Sequence, residues 1–147
     1  MKFYRRVALA LTVAGAVSMN PAQAADSKLE VILTAPEAQT QLMAMVLTMQ
    51  AVQKGASAHV LLCGPAADMA LKDAPESATA PQKPRDMSPQ GLMKMIMEKT
   101  GTEVEVCAIY LPNAGLEADA LIEGVGVADP AVMGGRLADP TARVMSF

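Results

Sequence analysis

Apolar positions along the chain fall into five short β-like runs, with helically spaced stretches between them. Residues 29–34 (LEVILT) are apolar and β-branched and predict a first strand. Ala35-Pro36-Glu37 then leads into a helix with Pro36 at its first position, running to about Lys54. Within it Leu42, Met45, Val46 and Met49 recur at three- and four-residue steps and predict the apolar stripe, with Gln39, Gln41, Gln50 and Gln53 mostly outside it. Gly55 stops this helix. Residues 57–63 (SAHVLLC) form a second, nearly continuous apolar run, the pattern of a parallel strand covered on both faces.

Gly64-Pro65 ends that strand, and residues 66–72 predict a short helix. Residues 73–87 carry Pro75, Pro81 and Pro84 beside Lys83 and Arg85 and read as a long surface loop, either a lid over the sheet edge or a solvated excursion. Ser88-Pro89 supplies a cap and a first turn for a helix with Leu92, Met93, Ile96 and Met97 on its apolar face, ending near Gly101. A third strand over 103–111 follows, then a turn at Pro112-Asn113-Ala114-Gly115 and a short helix over 116–122. Residues 124–128 predict a fourth strand, 130–138 a helix broken at Gly134-Gly135, and 142–147 a fifth strand. Strands alternating with helices imply right-handed parallel crossovers. The predicted fold is therefore α/β, a three-layer sandwich with a mainly parallel five-stranded sheet.

The first residues change the picture of where this fold works. Lys2, Arg5 and Arg6, an apolar run over 7–19, and Ala22-Gln23-Ala24 have the form of a cleavable secretory signal over residues 1–24. The apolar run is too short for the roughly 20 residues that span a bilayer, so no stable membrane insertion is expected after cleavage. Residues 25–147 then form a single domain, expected in the periplasm. Losing the leader removes three of the 12 Lys+Arg and none of the 15 Asp+Glu, so the net charge moves from −3 to −6. That balance argues against nucleic acid and anionic membranes as partners.

Chemistry concentrates at the two cysteines. Cys107 emerges from the third strand, and ligands of open parallel sheets bind outside the carboxyl ends of the strands. A thiol there reacts as thiolate, for which the turn at Asn113 to Gly115 is a candidate source of donors; a buried, inert cysteine is the alternative. Cys63 also ends a strand, and outside the cytosol the two can pair or stay free. His59, the only histidine, lies inside its strand and reads as structural or as a surface residue. Glu103 and Glu105 alternate on one strand side and read as solvated edge residues. The ten methionines outside the leader raise the idea of Cu(I) ligation, but their helical spacing favours core packing. No metal site and no cofactor is expected, and there is no phosphate loop, dinucleotide fingerprint or nucleophile elbow.

Taken together, the first strand feeding a helix rich in Ala and Met, Gly55, the strand ending at Cys63, and Val104-Glu105-Val106-Cys107 followed by Gly115, Leu121, Gly124 and Val125 resemble the DsrE/DsrF/DsrH-like proteins of sulfur metabolism. The resemblance implies that the family's cysteine falls on Cys107, that it carries sulfur as a persulfide, and that the protein is a homo-oligomer with a sulfur donor or acceptor protein as partner. Cys63, Asn113 and Gly115 are the candidate accessory residues. The leader, Pro112 and the Pro-rich loop depart from cytoplasmic members of the family. The competing expectation is a non-catalytic binding or assembly module that keeps the fold without using the thiol.

Overall fold

A computed structural model describes residues 27–147. The expected leader, residues 1–24, lies outside the described residues. Five strands form one sheet in the order β4-β3-β2-β1-β5, with β1 Lys28–Leu33, β2 Ser57–Leu62, β3 Glu103–Val106, β4 Val125–Val127 and β5 Ala142–Ser146. Every neighbouring pair is parallel. The helices are α1 Ala38–Gln53, α2 Glu76–Thr79, α3 Pro89–Thr100, α4 Tyr110–Ala114 and α5 Pro130–Ala138, so the predicted α/β sandwich is the observed architecture.

Alternation along the strands assigns the two faces. Leu29, Val31 and Leu33 of β1, Val60 and Leu62 of β2, and Val104 and Val106 of β3 are buried on one face, in a core shared with Ala44 and Met45 of α1 and Met93 and Ile96 of α3. Met45 and Met93 are fully buried, so these two methionines serve packing. The opposite face carries Glu30, His59, Glu103 and Glu105, and α5 reaches it through Arg136.

α3 starts and stops where the sequence predicts. Ser88 Oγ accepts from the Gly91 N–H at 3.0 Å, Pro89 occupies the first turn, and Gly101 closes the helix at φ +69°. α1 is rotated from its predicted stripe. Its fully buried positions are Gln41, Ala44, Met45 and Thr48, while Leu42, Val46 and Met49 flank them. Small Ala44 and Thr48 allow close approach; Gln41 Nε2 donates to Ala35 O at 2.9 Å and Thr48 Oγ1 to Ala44 O at 2.7 Å, while Gln41 Oε1 is buried without a hydrogen-bond partner.

Other boundaries differ from the predicted ones. β3 ends at Val106 rather than at residue 111, because the chain turns after Cys107 and residues 110–114 wind into α4. The segments predicted as helices over 66–72 and 116–122 are 3-10 turns, Gly64–Ala70 and Ala118–Ala120, tied together by a bridge between Leu71 and Leu121. α5 runs unbroken through Gly134-Gly135. The 73–87 loop contains α2, whose Ala78 is 1% exposed in the core, and a bridge between Gln82 and Met87; it contributes no residue to the cysteine cleft described below. It is a docked excursion rather than a lid over that site. Among the described residues no helix is long and apolar enough to cross a membrane.

Candidate functional site

Register brings the two cysteines together. Leu62 is the partner of Val106 in the β2–β3 ladder, so the next residues, Cys63 and Cys107, leave the sheet side by side. Backbone hydrogen bonds fix both: Cys63 N–H donates to Leu33 O at 3.0 Å and Cys107 N–H to Leu62 O at 2.9 Å. Both thiols are free and half-buried. Gly64 takes φ +52°, a left-handed conformation that favours glycine and turns the chain sharply away just after Cys63.

Together they line a cleft of about 710 Å³ at the carboxyl end of the sheet, with Gly64, Pro65 and Asp68 on the β2 side and Ile109, Tyr110 and Asn113 on the β3 side. The strand order reverses elsewhere, between β1 and β5. There the β1–β5 ladder continues past its last pair, with the Thr34 N–H and hydroxyl both donating to Phe147 O, at 2.8 and 2.9 Å. The cleft that holds the cysteines lies instead at the ends of β2 and β3.

A cross-brace holds the cleft in shape. Tyr110 Oη donates to Asp68 Oδ1 at 2.6 Å and ties α4 to the 3-10 turn after Cys63. Burial, and then the Asp68 carboxylate, hold the Tyr110 hydroxyl above the ordinary phenol range. Burial first, and then the neighbouring Cys107, push the Cys63 thiol up to about 12. Cys63 thus keeps its proton at neutral pH. None of the residues lining the cleft is Lys, Arg or His, and Asp68 is its one ionisable carboxyl.

Of the predicted accessory residues, Cys63 and Asn113 line the cleft. The Asn113 amide is already used, donating to Ile109 O at 2.7 Å inside α4. Gly115 is not among the lining residues; at φ +66° it caps α4, which is a structural role. Asp68 and Tyr110 went unnoticed in the sequence, since nothing links two residues 42 positions apart before the fold does. His59 lies four residues before Cys63, roughly 13 Å along a strand, and does not reach the cleft. It is a buried structural histidine with Nε2 2.8 Å from Glu105 Oε2 and Nδ1 3.0 Å from Glu30 Oε2.

That contact overturns the reading of Glu105 as a solvated edge residue; Glu103 is solvated as expected, its side chain 64% exposed, though its strand is not an edge. β3 lies inside the sheet, between β2 and β4, and Gly126 of β4 leaves room beside the Glu105 side chain. Glu105 accepts from His59, and Glu103 accepts from Arg136, which also approaches Glu30 at 3.8 Å. A smaller cleft of about 260 Å³ sits beside this network, at the opposite end of the sheet from the cysteines. Among the described residues no group of three His, Cys, Asp or Glu is placed to hold a metal ion.

No protein-family model matches the chain, and no curated protein is significantly similar to it. Solved structures are similar in fold. The YchN protein of E. coli superposes with a TM-score of 0.63 at 15% identity, covering 83% of this chain and 99% of that one. MTH1491 from Methanobacterium thermoautotrophicum, a protein of unknown function, gives 0.61 at 12% identity, covering 83% and 100%. At these identities the likeness is one of fold, and it is consistent with the resemblance read from the sequence at that level.

Proposed function

We propose that this protein is a periplasmic DsrE-like sulfur carrier that holds sulfane sulfur as a persulfide on Cys107. The observation that carries this reading is the position of Cys107: a half-buried thiol at the end of an interior strand, opening on a cleft with no cation among its lining residues. Such surroundings suit a soft sulfur atom better than a phosphate or carboxylate substrate. With thiosulfate as donor the Cys107 thiolate takes the outer sulfur and sulfite leaves, so charge and atoms balance without an added oxidant. The donor or acceptor protein would approach over Ile109, which is 69% exposed at the rim of the cleft.

Incubating the purified protein with thiosulfate or inorganic polysulfide should add one sulfur atom to the peptide carrying Cys107, read by mass spectrometry, and Cys107→Ala should abolish the adduct. No adduct with either donor would sink the proposal. A binding or assembly module is the second reading. It is favoured by Val132 and Leu137 on α5 and Val144 on β5, apolar side chains 56%, 41% and 49% exposed. Those side chains are also where a homo-oligomer contact would form, with or without use of the thiol.

A further inference from the structure

Two thiols, not one, stand at the cleft, and their relation is set by the backbone. Neighbouring strands run about 4.8 Å apart, and Cys63 and Cys107 are the next residues after a register pair. Their Cα separation therefore falls in the roughly 4.4–6.8 Å range that a disulfide requires. Both residues end the ladder, each still held through its own N–H, before the chain turns at Gly64 and into α4.

We infer that Cys63 is the resolving thiol of this site: it attacks the Cys107 persulfide at the inner sulfur, expels the outer sulfur as hydrogen sulfide, and leaves a Cys63–Cys107 disulfide. This rests on the persulfide reading above. The inner sulfur is Cys107 Sγ itself, the atom beside Cys63, whereas the outer sulfur projects into the cleft. The Cys63–Cys107 bond forms as the bond between inner and outer sulfur breaks. The outer sulfur leaves with its own proton and the one given up by Cys63. The two cysteine sulfurs are oxidised by two electrons and the sulfane sulfur is reduced by two. A thiol reductant, small or protein-borne, must then reopen the disulfide before another sulfur can load.

The environment of Cys63 sets the timing. A thiol pushed up to about 12 attacks slowly at neutral pH, so the persulfide persists long enough to meet an acceptor. Discharge accelerates with alkaline pH, or when a partner opens the cleft and exposes Cys63. The site would then deliver sulfur to an acceptor when one is present and release it as sulfide when none is.

The test loads the full chain with inorganic polysulfide, removes the excess, and follows sulfide release and the state of both cysteines by peptide mass spectrometry. The wild type should release one sulfide per Cys107 persulfide with no added reductant and end as the disulfide. Cys63→Ser should hold the persulfide roughly tenfold longer, because the attacking thiol is gone. Equal persistence in the two proteins, or sulfide release that leaves both thiols free, overturns the inference while leaving the persulfide reading intact. A Cys107 that takes up no sulfur even in Cys63→Ser overturns both. Diamide oxidation of the unloaded wild type provides an independent arm: it should close the same disulfide, and two thiols that stay free under diamide also overturn the inference.

Discussion

His59 Nε2 lies 2.8 Å from Glu105 Oε2 across the β2–β3 ladder, while its Nδ1 faces Glu30 Oε2 of β1 at 3.0 Å without hydrogen-bond alignment. One imidazole thus sits between carboxylates from the strands on either side of it, and Arg136 of α5 approaches the far oxygen of Glu30. His59 and Glu30 are 2% and 3% exposed, so their polar atoms have little water to fall back on.

Removing one member of this network should cost more than removing several. His59→Leu leaves Glu30 buried with only Arg136 at 3.8 Å, and should lower stability by about 3 kcal/mol, the usual result of breaking a buried pair. Replacing Glu30 and His59 together by Met and Leu, of similar volume, should recover most of that loss. Urea unfolding of the two variants checks the order. A double variant less stable than His59→Leu would show that the network contributes net stability, contrary to this expectation.

How much of this was legible in the sequence differs between the two ends of the sheet. The apolar runs marked all five strands, and the cap at Ser88-Pro89 with the stop at Gly101 marked α3 closely, because those signals are local. Cys107 stood out as the thiol of the third strand, but with that strand read to residue 111 its place just past the strand end was not legible. Nor was the ionic network, since Glu30, His59 and Glu105 meet only through strand order and register, which no local spacing encodes. Alternation did place Glu103 and Glu105 on one face, but it could not say that β3 was interior. The same limit hid the Asp68–Tyr110 brace. In α1, counting large apolar residues misplaced the stripe because Ala44, Thr48 and Gln41, whose Nε2 is bonded to Ala35 O, are more deeply buried than Leu42.

Alkaline pH should weaken the fold at the cysteine cleft. Cys63 is raised to about 12 and Tyr110 is raised as well, so the folded chain holds protons that the unfolded chain gives up. The unfolded thiol titrates near 8.5 and the unfolded phenol near 10. These contributions are therefore complete below about pH 8.5 and decline as pH rises from there toward 12. Melting temperature measured from pH 7 to 11 should fall, and Cys63→Ser should flatten the fall at its lower end. An identical slope in that variant would exclude Cys63 as a source.

Alkylation should report the same coupling between the thiols. Below pH 10 iodoacetamide should modify Cys63 only slowly, since the thiolate is the nucleophile. Cys107→Ala removes the second of the causes that hold Cys63 protonated and leaves burial in place, so Cys63 should react faster in that variant without reaching the rate of an unfolded thiol. Peptide-resolved labelling kinetics read both rates. An unchanged Cys63 rate in Cys107→Ala would mean that burial alone sets its reactivity.

The Tyr110–Asp68 hydrogen bond should govern the shape of the cleft more than the stability of the domain. Tyr110→Phe keeps the ring and removes a 2.6 Å bond between two half-buried residues. A loss of about 1–2 kcal/mol is expected for a bond to a carboxylate in this setting. Freed from the brace, α4 should move relative to the turn after Cys63, and labelling of Cys107 should quicken while the far-ultraviolet spectrum stays unchanged. Wild-type labelling rates in a destabilised Tyr110→Phe would show that the brace does not control access.

Gly134 and Gly135 offer a prediction of opposite sign. Two adjacent glycines suggested a break, yet α5 continues through them, begun by Asp129, whose carboxylate accepts from the N–H groups of Ala131 and Val132. A Cβ built at either glycine meets nothing within 4 Å, and both positions are exposed. Alanine there removes backbone freedom from the unfolded chain without a clash in the folded one. Each Gly→Ala change should therefore raise stability by about 0.4–1 kcal/mol. Arg136 is the next residue and holds Glu103, so a firmer helix should also hold that ion pair more persistently. Denaturant midpoints of the two variants decide the matter. If either alanine destabilises the protein, and does so more at high protein concentration, the glycine face of α5 is covered by a second copy in solution. The open surface beside Val132 and Leu137 would then be the place to look for that contact.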